Sequence, residues 1–227
     1  RSILYIGPAR AKSDRYYRYQ DLAVSEIDPN GANFPMFLNS LSERQLEKFS
    51  HWVRELFGYG VNVNRESGHI SINLEYDNET VNIIDTGYGV SQILPVLGQI
   101  WWSINRPNTR GNLDSSNTIL AIEQPELHLH PAHQSLLADA LASGINLYSS
   151  NEEKSLSYVI ETHSEAMINR IGDLIFKGSL KKDDIQVLIF ESDRNDPSKT
   201  KIKTATFDDE GMLMDWPFGF FVPEMRK

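Results

Sequence analysis

The 227 residues contain no cysteine, which excludes disulfides and thiolate metal sites and is in keeping with a reducing compartment. Positive charge is not in excess either: 22 Lys and Arg stand against 31 Asp and Glu, a formal net charge of −9. A uniformly basic nucleic-acid surface is thereby excluded, and any contact with DNA or RNA needs a local patch or another chain. No run approaches the ~20 consecutive apolar residues of a membrane span, and the start has no signal-peptide pattern. These absences point to a cytoplasmic protein with no membrane association. Internal repeats, heptad arrays and low-complexity tracts are missing too. What is present is apolar material: 40% of the residues, with ten Phe, nine Tyr and four Trp, enough for a sizeable core. The length suits one ordinary domain, or one domain with an appendage.

The chain begins Arg1-Ser2-Ile3-Leu4-Tyr5, with no initiator Met and an apolar strand-like run at once, which reads as a start in mid-domain. Residues 1–40 are otherwise irregular. Ser42 and Gln45 have the spacing of a capping box. Leu46, Phe49, Trp52, Val53, Leu56 and Phe57 then recur at helical spacing, so residues 43–57 are expected to form an amphipathic helix. Val61–Val63, Ile70–Leu74 and Val81–Ile84, separated by Gly and Asn/Asp, read as an antiparallel meander.

Beyond residue 84 the pattern changes. Asp85–Val90 is a glycine-bearing loop, Ser91–Asn105 a helix, and 106–117 a polar loop. Short apolar runs at Thr118–Ile122, Leu156–Ile160 and Asp184–Phe190 alternate with helices at Pro131–Ala142 and Glu165–Phe176. Apolar strands alternating with helices predict an α/β fold whose parallel sheet is covered on both faces. Residues 1–84 form the first part, 85–190 the α/β core, and 191–227 a small β appendage in which Trp216–Phe221 is expected to pack.

Three strand or helix edges carry chemistry. In Ile119-Leu120-Ala121-Ile122-Glu123-Gln124-Pro125-Glu126-Leu127-His128-Leu129-His130-Pro131 a buried strand ends in a carboxylate, where α/β proteins place ligands. Such an acid can cap a turn, or supply one of the one or two carboxylates that Mg²⁺ on a nucleotide needs. In Tyr158-Val159-Ile160-Glu161-Thr162-His163 a second strand ends in a loop with one His, able to hydrogen-bond a terminal phosphate. In Asp85-Thr86-Gly87-Tyr88-Gly89-Val90-Ser91-Gln92 the glycines let backbone approach an anion at a helix start, with Ser91 as N-cap and phosphate ligand. His128, His130 and His133 have no carboxylate placed as a third zinc ligand. Arg10, in Gly7-Pro8-Ala9-Arg10, is expected to be exposed.

The Glu123–Pro131 stretch resembles the Walker B motif and D-loop of ABC-class ATPases, in which apolar residues precede two acids, a Pro and a Leu-Asp pair. The Glu-Pro-Glu and Leu-His-Pro wording is closer still to the RecF-related ATPases and the overcoming-lysogenization-defect nucleases. The resemblance covers residues 80–190 best. It implies that Glu123 is the magnesium acid, Gln124 stands at the general-base position, His130 in the D-loop, and His163 in the switch loop. Gly87, Gly89, Ser91 and Gln92 resemble the signature motif, which reaches the nucleotide of a dimer partner. Gln124 departs from the family pattern, because a Gln cannot take a proton from water. It can orient one, and Glu126 could substitute as base.

No Gly-x-x-x-x-Gly-Lys-Ser/Thr stretch occurs. The resemblance therefore implies a C-terminal half of an ABC-type head that binds ATP and Mg²⁺ as a homodimer once a Walker A segment completes it. Residues 1–80 and the tail from Asp208 to Phe221 resemble those of a poorly characterised bacterial ATPase family sharing this C-terminal domain, and that resemblance implies a role in anti-phage defence, beside a nuclease partner. The acids after Phe190 (Glu191, Asp193, Asp196, Asp208) form no recognisable metal cluster, so nuclease activity is expected of a partner.

Overall fold

The computed structural model describes residues 2–20, 24–106, 117–149, 155–193, 196 and 198–216, with the backbone alone for 147–149. The polar loop expected at 106–117 and the aromatic tail expected to pack at 216–221 lie almost wholly outside these residues. In chain order the elements are β1 (Ser2–Ile6), β2 (Tyr17–Arg18), α1 (Phe34–Ser40), α2 (Glu43–Phe57), β3 (Gly60–Glu66), β4 (His69–Glu75) and β5 (Thr80–Asn82). A 3-10 turn (Ile83–Asp85), α3 (Tyr88–Asn105), β6 (Asn117–Glu123), α4 (Pro131–Ser149) and β7 (Ser155–Glu161) follow. The last are α5 (Glu165–Phe176), a second 3-10 turn (Lys182–Asp184), β8 (Val187–Ser192), β9 (Thr200–Phe207) and β10 (Leu213–Met214). The chain divides into two compact units, Arg1–Ser164 and Glu165–Lys227.

The first unit is α/β. Its parallel sheet has the order β1-β6-β7, with Ile6 opposite Ile122 and Glu123 opposite Glu161. Leu4, Ile6, Leu120 and Ile122 point to one face and are buried there, where α3 and α4 pack. α3 is buried without a break from Ser91 to Trp101, as a helix apolar all round must be. The side chains of the other face are not covered in the way the apolar runs predict: Ile3 is 69% and Val159 61% exposed. A run that is apolar at every position does not say which of its two faces will find a partner.

The meander forms, but its third strand ends at Asn82, and Ile83 and Ile84, read as part of that strand, belong to the 3-10 turn. β3 pairs antiparallel with β4 and β4 with β5, while β2 adds to the other edge of β4. α2 closes this sheet's inner face. Its capping box is present, with the Ser42 side chain accepting from Gln45 N–H and the Gln45 side chain accepting from Ser42 N–H. Gly58, left-handed at φ 79°, ends the helix. Phe49 and Val53 on its inner stripe are fully buried, each contributing about 1.5–3 kcal/mol by removal from water.

The second unit holds α5 and an antiparallel sheet of order β10-β9-β8. The strand expected at 184–190 is thus corrected: β8 joins this antiparallel sheet through β9 and not the parallel one. β1, read only as a short strand in an irregular region, is the third parallel strand. Gly172 and Gly211 approach so closely that a Cβ on either would meet the other's carbonyl. Among the described residues, no helix is long and apolar enough to cross a membrane.

Candidate functional site

β6 and β7 run parallel and end together, so Glu123 and Glu161 stand side by side on one face of the sheet at its carboxyl edge. Tyr5, reaching across from β1, donates its hydroxyl to Glu123 Oε1 at 2.8 Å. That bond, with the nearby charges of Glu123 and Glu161, pushes the Tyr5 phenol above its ordinary pKa. The Glu123 carboxylate is therefore oriented by a neighbouring strand instead of swinging free in solvent.

The next residue turns sharply. Gln124 has φ 41°, in the left-handed region that side chains disfavour. Three backbone contacts hold it there: its N–H donates to Glu161 O at 2.8 Å, and its carbonyl accepts from Leu127 N–H at 3.1 Å and from Arg10 Nη2 at 3.3 Å. A strained residue persists only when its surroundings over-determine it, and such residues concentrate at functional sites. The Gln124 side chain is half-buried, its amide donating to Glu161 Oε1 at 3.4 Å.

Arg10 is buried, not exposed as expected: only 5% of it meets solvent. The residues after β1 lead under the 124–130 segment, where Arg10 also donates to Gly7 O at 3.1 Å. Burial lowers its pKa, and the charges of Glu126 and Tyr88 oppose that shift. Glu126 is itself only 9% exposed. Its Oε1 accepts from the His163 backbone N–H at 2.7 Å, tying the loop after β6 to the loop after β7. His163 is exposed at the same edge. Behind it, Ser164 donates its hydroxyl to Gln134 Oε1 at 2.5 Å.

The glycine-bearing segment meets the site from the other side. α3 starts at Tyr88 with Gly87 as its N-cap, so Ser91 is not the cap; it lies a turn inside, 7% exposed, its hydroxyl donating to Tyr88 O at 2.7 Å. Gln92 is also buried, its amide donating to Ala11 O. Gly87 and Gly89 remain as the groups whose backbone an anion could approach. Gly89 sits against the 128–130 segment so tightly that a Cβ would collide with the His128 carbonyl. The Tyr88 ring meets the His128 ring edge-on, 4.9 Å between centroids. His128 too is left-handed, at φ 68°. His130 is exposed, and its Nδ1 accepts from Ala132 N–H at the start of α4.

The donor set suits Mg²⁺ better than zinc. Two adjacent carboxylates, Glu123 and Glu161, match an ion that takes one or two protein carboxylates and keeps its waters. Among the described residues no group of three or more His, Asp or Glu could hold a metal by itself. Sequence reasoning named Glu123, Gln124, Glu126, His130 and His163; the structure brings Glu123, Gln124, Glu126 and His163 together at one edge, while His130 stands at the start of α4. It missed Tyr5 and Glu161, and set Arg10 aside as exposed. For Glu161 a signal existed, since it ends a strand parallel to the one that Glu123 ends.

Solved structures that resemble the chain do so weakly, each of these three with a TM-score below 0.5. A chain from work on ATP-driven dimerization and DNA-stimulated activation of SMC ATPases is 14% identical, with a TM-score of 0.45, over 78% of this chain and 89% of that one. The Smc head domain with an extended coiled coil, bound to the C-terminal domain of ScpA and derived from Pyrococcus furiosus, is 12% identical with a TM-score of 0.42 over 72% of this chain. An Smc head bound to the C-terminal winged-helix domain of ScpA is 12% identical with a TM-score of 0.48 over 80%. The match spans only 35% and 48% of those last two chains. No curated protein matches the sequence. Residues 19–168, well over half of the 227, match the AAA ATPase domain family, and they include the β6 and β7 edge with Glu123, Gln124 and His163. The chain belongs to the AAA ATPase domain family.

Proposed function

We propose that this chain is the ATP-binding and ATP-hydrolysing half of an ABC-type head that works as a homodimer. Two copies sandwich ATP and Mg²⁺, and a Walker A segment outside these 227 residues, on the same or another chain, cradles the phosphates. The observation that supports this best is the meeting of Glu123, Gln124 and His163 at one sheet edge. Glu123, with Glu161 beside it, would hold Mg²⁺, which when bound draws charge from the phosphates. Gln124, fixed in its turn by three backbone contacts, orients the attacking water. His163 hydrogen-bonds the γ-phosphate. Gly87 and Gly89 offer backbone N–H groups to the partner's nucleotide, and His130 lies at the dimer seam. Dimer closure with ATP and opening after hydrolysis are a population shift driven by differential contacts. That cycle switches a partner effector of the nuclease kind, in anti-phage defence or another DNA-related process.

The test is Mg²⁺-dependent ATP turnover by this chain and by the complete polypeptide that contains it. Turnover in the complete protein that Glu123→Ala abolishes is the expected result, while turnover indifferent to that change refutes the assignment of the site. A second reading, a catalytically slow ATP-gated clamp for a partner nuclease, draws on Gln124 itself, which cannot accept a proton. A faster single turnover in Gln124→Glu would favour the clamp.

A further inference from the structure

Glu126 lies beyond the strand end, points inward, and takes no part in the roles just assigned. We propose that it is a positioning residue: a buried latch that sets the place of His163 against Glu123 and Gln124, with Arg10 as its counter-charge. This rests on His163 being the residue that senses the γ-phosphate.

Four observations carry the proposal. Glu126 Oε1 accepts from His163 N–H at 2.7 Å across 37 residues of sequence, a charge-assisted bond between the loop after β6 and the loop after β7. Glu126 and Arg10 are 9% and 5% exposed, too buried for a carboxylate and a guanidinium without purpose. Arg10 feels the charge of Glu126 yet forms no ion pair with it among the described residues, and instead grips the Gln124 carbonyl. Finally, Glu126 Oε2 and Arg10 Nε are both buried with no hydrogen-bond partner among the described residues. The carboxylate and the guanidinium thus hold the His163 loop and the Gln124 turn respectively, and their mutual charge keeps the two in step. A general base would need its oxygens turned to a solvent-accessible water; Glu126 has one committed to a backbone amide and the other buried.

Two measurements test this, one independent of ATP. In the nucleotide-free protein, hydrogen exchange at the His163 amide should be faster in Glu126→Ala by at least about tenfold, the usual loss for a charged-group hydrogen bond. Glu126→Gln, whose amide oxygen can still accept, should stay near wild type. In the complete protein, Glu126→Ala should lower kcat on the order of 10- to 100-fold with KM for ATP little changed. Glu126→Gln should restore most of that rate with the wild-type pH profile, and Glu126→Ala combined with His163→Ala should be no slower than His163→Ala alone. If Glu126→Ala fails to fold, Glu126→Asp, with its shorter arm, takes its place. Unchanged exchange at His163 overturns the latch. A Glu126→Gln enzyme as slow as Glu126→Ala, with one limb of the pH profile gone, makes Glu126 the base and overturns it as well. A wild type without turnover but with Glu126-dependent exchange sinks the ATPase reading of the site and leaves the latch in place.

Discussion

Replacing Arg10 with Met keeps a flexible stem of similar reach and removes the guanidinium. Two charge-assisted hydrogen bonds disappear, to Gly7 O at 3.1 Å and Gln124 O at 3.3 Å, and Glu126 loses the positive charge that supports it in a buried place. Bonds to charged groups are worth about 1.5–3 kcal/mol each, and both of these are long, which puts them at the low end. Removing one member of a buried charged cluster costs about 3–5 kcal/mol. The absence of a direct ion pair argues for the lower figure, since less Coulombic attraction is lost, and the guanidinium's own desolvation is recovered. Arg10→Met should therefore cost about 3 kcal/mol. For a domain of this size that is roughly 6–12 °C in Tm. Calorimetry or circular-dichroism melts measure it directly. Adding Glu126→Leu removes the stranded carboxylate, so the double variant should lose less than the sum of the singles by about 0.5–3 kcal/mol. A drop below about 2 °C, or strict additivity, would mean that Arg10 is solvated and that the cluster does not exist.

Two further outcomes are expected. Gly89→Ala drives a Cβ into the His128 carbonyl, so urea denaturation should show a loss of about 1–3 kcal/mol; an unchanged midpoint would mean that α3 and the 128–130 segment are not in contact. Asp85, hydrogen-bonded by both terminal nitrogens of Arg15, has its pKa held below the ordinary carboxylate value of 3.8. Its contribution to stability is fully present above that value and is lost as pH falls through the depressed one. Asp85→Asn should accordingly lower Tm slightly at pH 7 and leave it unaltered at the acid end, and a larger effect in acid would reverse the sign of the argument.

Some of this architecture is written locally. α2 follows from a capping box and a helical stripe within 16 residues, Ser42 to Phe57, and the β3–β5 meander from alternation broken by Gly and Asn/Asp. Glu123 and His163 could be placed because each ends an apolar run and so must stand at or just beyond a strand end. The departure at Gln124 was legible only against the Walker B pattern that the stretch resembles. Other features depend on pairings that no window of sequence contains. β1 joins β6 across 116 residues, and only that register brings Tyr5 to Glu123 and delivers Gly7 and Arg10 beneath Gln124. β8 is as apolar as a parallel strand would be, yet pairs antiparallel with β9, because an apolar run does not specify its neighbour. Ser91 has the residue type of a cap, but α3 starts a turn earlier at Gly87, where the backbone leaves the 3-10 turn, and the hydroxyl is left inside. A carboxylate at the end of β6 and a histidine just past the end of β7 could be read from the sequence. The tertiary structure alone decided which buried charges support them, since an arginine's solvation depends on carbonyls brought to it from elsewhere in the chain.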